Sequence, residues 1–195
     1  MPARSVDGSR RLLVAAATIV LAGAANAGAS VAARAPAFHW LQPQPAPKSW
    51  KLARLPSGAA TFGYPRAWRP IRTDPGTASV ALLGRGRSIL GYLNLTPRQG
   101  TETLADWPSF RIEHQGDEGA ADVHLLASAH GLAFRSGRGS CVIDSYRTSR
   151  ARYREIACLV AGTRTSSVIV GAAPSKTWAL RASTIERAIA TLRTD

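Results

Sequence analysis

The two cysteines of this 195-residue chain stand seventeen positions apart, at Cys141 and Cys158, inside the stretch GSCVIDSYRTSRARYREIACLVAG (139–162). The flanks SCVIDSYR and YREIACLV are rich in β-branched and aromatic residues, and the middle is polar, which is the pattern of two strands and a connector. If the strands pair antiparallel with positions summing to 299, Cys141 faces Cys158, Ile143 faces Ile156 and Ser145 faces Arg154. On the other face Val142 meets Ala157, Asp144 meets Glu155 and Tyr146 meets Tyr153. One register thus yields apolar and aromatic cross-strand pairs together with an opposed cysteine pair, whose Cβ atoms would lie within disulfide reach. We expect a structural disulfide. The rival, a redox pair, normally takes the form Cys-x-x-Cys at a helix start, which is not found here. Two cysteines without further nearby ligands do not make a zinc cage.

An oxidising compartment is consistent with how the chain begins. MPARSVDGSRR is basic, LLVAAATIVLAGA (12–24) is an apolar run, and ANA (25–27) offers small residues where a signal peptidase reads. Residues 1–27 are therefore expected to be a signal peptide cleaved after Ala27, placing the protein outside the cytoplasm, secreted or in the cell envelope. The alternative is an uncleaved anchor, although the run is short and alanine-rich for a span. SRRLL (9–13) matches a twin-arginine signal only in part, so the general secretory route is the expectation. The Ala/Pro-rich residues 28–49 read as a linker or tether, in which His39-Trp40 is a loose aromatic element or, alternatively, docks on the domain.

Residues 50–195 are expected to form one domain, with strands over 59–64, 77–84, 88–97, 121–128, 131–137 and 166–173 beside the cysteine hairpin. A helix over 101–115 would start at Thr103 or Asp106, the later start suiting Pro108. A final helix capped by Ser175 would carry Trp178, Ala182, Ile185, Ile189 and Leu192 on one face. The plan is α+β, a mostly antiparallel meander covered by helices. The F-x-Y-P-x-x-W element (Phe62, Tyr64, Pro65, Trp68), the GYLNLTP strand and the Trp178 helix resemble the PsbP-like fold, and among its members the small secreted LpqN-type proteins of high-GC Gram-positive bacteria. The resemblance spans about 50–193. It implies an α/β/α sandwich and an accessory or binding role, and brings no catalytic motif and no cofactor. The lipid-modified cysteine of lipoprotein members is missing.

Candidate chemistry is sparse. G-x-S-x-G, H-E-x-x-H, P-loop and dinucleotide motifs are absent. Glu113, His114, Asp117, Glu118, Asp122 and His124 crowd twelve positions and are the candidate metal ligands, with a solvated acidic connector as the alternative. The Asp144/Glu155 pair would repel unless protonated or neutralised, for which Arg147 or Arg164 is the expected partner. As a catalytic dyad, or with the acidic cluster, it would make the chain a small envelope hydrolase or metal-dependent enzyme. His130 is expected in a turn.

Charge is the remaining signal. The formal charge is +13, with 22 arginines against 3 lysines. Loss of residues 1–27, which hold three arginines and one aspartate, leaves +11. Arg147, Arg150, Arg152 and Arg154 concentrate at the hairpin tip, a candidate binding patch for an anionic envelope polymer, an anionic lipid surface or an acidic protein. Nucleic acid is less accessible outside the cell. The leading expectation is an exported, non-catalytic binding or accessory protein without cofactor.

Overall fold

Cys141 and Cys158 are joined by a disulfide, with their Cα atoms 4.1 Å apart. They lie opposite one another on strands β7 (Gly137–Arg147) and β8 (Arg152–Ala161), and every pair of the expected register, from Cys141↔Cys158 to Tyr146↔Tyr153, is realised. The computed structural model describes residues 36–195. The expected signal peptide and the start of the linker lie outside the described residues.

The hairpin lies between β9 and the edge strand β6 in a seven-stranded antiparallel sheet of order β3-β4-β5-β9-β8-β7-β6. The other members are β3 (Arg69–Ile71), β4 (Ala78–Leu83), β5 (Ile89–Pro97), β6 (Ala121–Phe134) and β9 (Ser166–Pro174). A small sheet of β1 (Lys51–Arg54), β2 (Ala60–Tyr64) and the terminal β10 (Arg193–Thr194) packs with the C-terminal helix on one face. There Cys141, Ile143, Ile156 and Ile169 meet Phe62, Tyr64, Ile185 and Ile189 in the main core. Helix α1 (Trp107–Asp117) covers the other face, where Trp107 closes over Val142, Ala157, Leu159, Val168 and Val170. The result is an α+β sandwich. Among the described residues no helix is long and apolar enough to cross a membrane.

Three local expectations are corrected. Strands expected at 121–128 and 131–137 are one fourteen-residue edge strand, β6, which shifts register against β7 in three places. Such bulges let an edge strand bend with the twisted sheet instead of ending. His130 is therefore in a strand rather than a turn, with Nδ1 2.8 Å from Leu104 O and 3.0 Å from Ser140 Oγ. The C-terminal helix is interrupted. Ser175–Leu180 winds as a 3₁₀ segment without a side-chain cap, and α2 (Ala182–Ala190) begins only after Arg181. Trp178 thus lies on the 3₁₀ segment and not on α2, yet it still packs, partly buried, against the main core that Ile185 and Ile189 enter. Finally, folded structure starts before residue 50. Phe38 and Leu41 are 7% and 8% exposed in the main core, and Gln44 N donates to Ala190 O at 3.1 Å, so residues expected as linker pack onto the domain from Pro36 onward.

The expected start of α1 holds. Asp106 precedes its first residue, Asp106 Oδ1 accepts from Thr103 N at 2.6 Å, and Pro108 sits in the first turn, where its missing N–H leaves no helical bond unmade.

Candidate functional site

On the α1 side of the sheet, alternation along each strand sends every second side chain toward the helix. Across neighbouring strands this aligns Tyr92, Ala172, Glu155 and Asp144 in one row, and Asn94, Val170, Ala157 and Val142 in the next. Helix α1 meets these rows with Trp107, Arg111 and Gln115, three residues at spacing four and its only buried ones. Trp107 Nε1 donates to Ala157 O at 3.1 Å, which seats the helix on β8.

Arg111 neutralises the carboxylate pair. Its Nε and Nη2 donate to Glu155 Oε1 at 2.8 and 2.6 Å, and Gln115 Nε2 donates to Glu155 Oε2 at 3.1 Å. The expected partners do other things: Arg147 bonds Asp122 and Arg164 reaches Asp195. Burial works to lower the Arg111 pKa, but Glu155 outweighs it and holds the guanidinium above its ordinary value. Asp144, 0% exposed, has no partner for either oxygen among the described residues. Burial first, then the Glu155 charge, pushes its carboxyl up to about 8, with Arg111 opposing. Asp144 is thereby held toward its neutral, protonated form. Burial likewise raises the phenol of Tyr146 beside it.

Where α1 diverges from β5 and β9, a cavity of about 460 Å³ opens between helix and sheet. Tyr92, Asn94 and Thr96 of β5 and Val168 and Val170 of β9 form its floor. Trp107, Phe110, Arg111 and His114 of α1 form one wall, and the 97–102 connection, with Glu102, closes an end. The aromatic wall is ordered: Trp107 stacks on Phe110 at 5.8 Å and Phe110 on His114 at 5.5 Å. A concave site mixing apolar floor, aromatic wall and a few polar groups is how proteins hold small molecules.

The sequence-derived candidates are dispersed. Arg147 Nε and Arg152 Nη2 both donate to Asp122 Oδ2, at 2.9 and 2.7 Å, and Arg147 in particular holds that carboxyl below its usual range. Arg154 lies over the Trp178 ring at 5.4 Å, away from the tip. Arg150 stands exposed in the turn. Of the acidic cluster, Glu113 and Asp117 are exposed on α1, His114 Nε2 is 3.3 Å from Glu118, and His124 sits opposite Ser145 on β6. Among the described residues no three His, Cys, Asp or Glu side chains come together to hold a metal ion.

The cavity was not anticipated, although two signals for it stand in the sequence. Trp107, Arg111 and Gln115 recur every fourth position, on one helical face. Tyr92, Asn94 and Thr96 alternate with the fully buried Leu93 and Leu95, which gives β5 one apolar face for the core and one polar face for a site.

No protein-family profile matches this chain, and no curated protein is similar to it in sequence. Solved structures are similar in fold. Cyanobacterial PsbP (CyanoP) from Synechocystis superposes with a TM-score of 0.52 at 11% identity, over 75% of this chain and 93% of that one. A Pseudomonas aeruginosa protein of unknown function, PA94, gives 0.51 at 12% identity, over 75% and 97%. LpqN of Mycobacterium tuberculosis, involved in cell envelope biogenesis, gives 0.40 at 12% identity, over 77% and 82%. The chain spans 49% of a longer Bacteroides thetaiotaomicron protein, at 16% identity over 75% of this chain and a TM-score of 0.46. The fold is PsbP-like.

Proposed function

We propose that this PsbP-like chain is an exported, non-catalytic protein that holds a small molecule in the cavity between α1 and the sheet. The observation that carries the reading is the cavity itself, about 460 Å³ with an aromatic wall and a polar floor. Export rests on the basic and apolar start of the chain and on the Cys141–Cys158 disulfide, which belongs to an oxidising compartment. The non-catalytic part rests on the carboxylates. Glu155 lines the cavity, but Arg111 and Gln115 take both of its oxygens, and Asp144 is fully buried, so neither of the pair is free to serve a substrate as acid or base. An envelope hydrolase built on that pair has no accessible acid or base there.

The test is to fill the cavity. Thr96 lies on its floor, half-buried, and Thr96→Trp places an indole in the space without touching the Arg111–Glu155 pair. Protein purified from its own host should carry a bound small molecule in native mass spectrometry, and the variant should not. A wild-type protein that is bare under gentle conditions, or a variant that retains the same mass increment, overturns the reading.

A further inference from the structure

The charge of the cavity runs against that of the chain. In a protein of formal charge +13, the cavity wall carries four carboxylates, Asp74, Glu102, Glu118 and Glu155, and one guanidinium, Arg111. Glu155 takes up Arg111 through two of its nitrogens, and the third, Nη1, stands 3.7 Å from Glu118. An anionic ligand would have to break those bonds to reach the guanidinium. Glu118 also has His114 Nε2 at 3.3 Å, which leaves Asp74 and Glu102 as the wall carboxylates without an ion-pair partner among the described residues.

A second observation points the same way. Glu102 is 5% exposed and lines the cavity, yet its Oε2 is buried without a hydrogen-bond partner among the described residues. Arg98 comes near but donates to the Glu102 backbone carbonyl, at 3.3 Å, and not to the carboxylate. Gly100 matters here, because a Cβ at that position would stand 2.6 Å from Glu102 Oε2 and push the carboxylate aside. Buried carboxylates are ordinarily paired, so an unpaired one in a cavity wall calls for a cationic visitor. The aromatic rings of Tyr92 and Tyr146 on the same walls suit a cation as well, whereas Phe110 is stacked between Trp107 and His114.

We propose that the cavity takes a small organic cation bearing ammonium or guanidinium groups. Glu102 is its inner anchor, and Asp74 and Glu118 flank the outer part. This rests on the reading of the cavity as a ligand site. The carboxylates do not converge in a group of three, so they suit a ligand with spaced charges better than a point ion. The positive charge elsewhere on the chain opposes approach only over long range, and it is screened beyond about 10 Å at 0.1 M salt.

Three five-carbon probes of matched length separate the possibilities: cadaverine, 1,5-pentanediol and glutarate, each titrated into the full protein while the amide and Trp107 indole signals are followed by NMR. Cadaverine should shift the signals of Tyr92, Trp107 and Phe110 saturably, and the other two should not. Glu102→Gln should weaken cadaverine binding about tenfold through loss of a charge-assisted bond. Asp74→Asn, at an exposed position, should weaken it less and serves if Glu102→Gln does not fold. Equal shifts from pentanediol or glutarate overturn the cation and leave the cavity as a ligand site. Silence from all three probes, or undiminished cadaverine binding in both variants, also overturns the cation, while the Thr96→Trp comparison decides the cavity separately.

Discussion

Asp144 and Glu155 face each other across β7 and β8, and only Glu155 has a counter-charge. The two therefore divide the roles of a buried pair: Glu155 takes up the Arg111 guanidinium, and Asp144, left without a counter-charge, is held toward its protonated form. Holding the folded carboxyl at about 8, against about 3.9 in an unfolded chain, means that folding retains a proton between those values. Stability is then fullest below about pH 4 as far as this group is concerned, and falls as pH rises toward about 8.

Asp144→Asn removes that titration while keeping the shape. The wild type should melt at a lower temperature at pH 8 than at pH 5.5, and the variant should show much less of this difference. A domain of this size moves about 2–4 °C per kcal/mol, so the effect is within easy reach of calorimetry. Arg111, Glu155 and Tyr146 surround the group, so both proteins need the full pH series. An equal pH dependence in the two proteins would falsify the assignment of a retained proton to Asp144.

The Arg111–Glu155 pair invites a double-mutant cycle. Arg111→Met leaves Glu155 buried beside Asp144 without its cation, and Glu155→Met leaves the guanidinium unpaired. Each single change should cost about 3–5 kcal/mol in urea unfolding. The double variant Arg111→Met/Glu155→Met should cost less than either, because an apolar pair of similar volume avoids burying any charge. Additive losses would mean that the two residues do not act as a pair.

How much of this was legible in the sequence depended on the range of the signal. The hairpin was readable because a two-residue period and an opposed cysteine pair allow one register, and Asp144 opposite Glu155 followed from it. Arg111 was not found as the neutralising residue because it sits 44 positions from Glu155 on another element. The periodic stripe Ile185, Ile189, Leu192 was readable, but its extension back to Trp178 was not. Trp178 reaches the core from a separate 3₁₀ segment and carries the guanidinium of Arg154 over its ring, a cross-element contact that periodicity does not encode. Phe38 and Leu41 were missed as core because proline-rich composition describes local stiffness and says nothing of where two apolar side chains dock.

The proposed export makes a simple prediction. Ala25-Asn26-Ala27 should be the cleavage site, so material recovered outside the cytoplasm should begin at Gly28. N-terminal sequencing decides this, and retention of residues 2–11 would favour an anchor. The same material, digested without reduction, should yield a linked Cys141–Cys158 peptide. Replacing both cysteines by serine should cost about 2–4 kcal/mol of stability.

The hairpin tip supplies the last prediction. Arg147, Arg150 and Arg152 crowd the turn against one carboxylate, Asp122, so the tip keeps an excess of positive charge even after Asp122 takes up two guanidiniums. Arg154 contributes little to it, being engaged over Trp178. We propose that the tip makes a secondary contact with an anionic envelope polymer, chiefly through Arg150, the arginine with no part in the Asp122 pairs. Such binding should weaken as the Debye length shrinks from about 10 Å at 0.1 M salt to about 3 Å at 1 M. Arg150→Ser should reduce it several-fold at low salt with little change in melting temperature, since exposed charges add about 0–1 kcal/mol to folding. Arg154→Ser should do the reverse, lowering stability through the lost Trp178 contact and sparing binding. Sedimentation with purified envelope material at the two salt concentrations reads both effects. Binding that ignores salt, or that Arg150→Ser leaves intact, would remove the tip from the function of the protein.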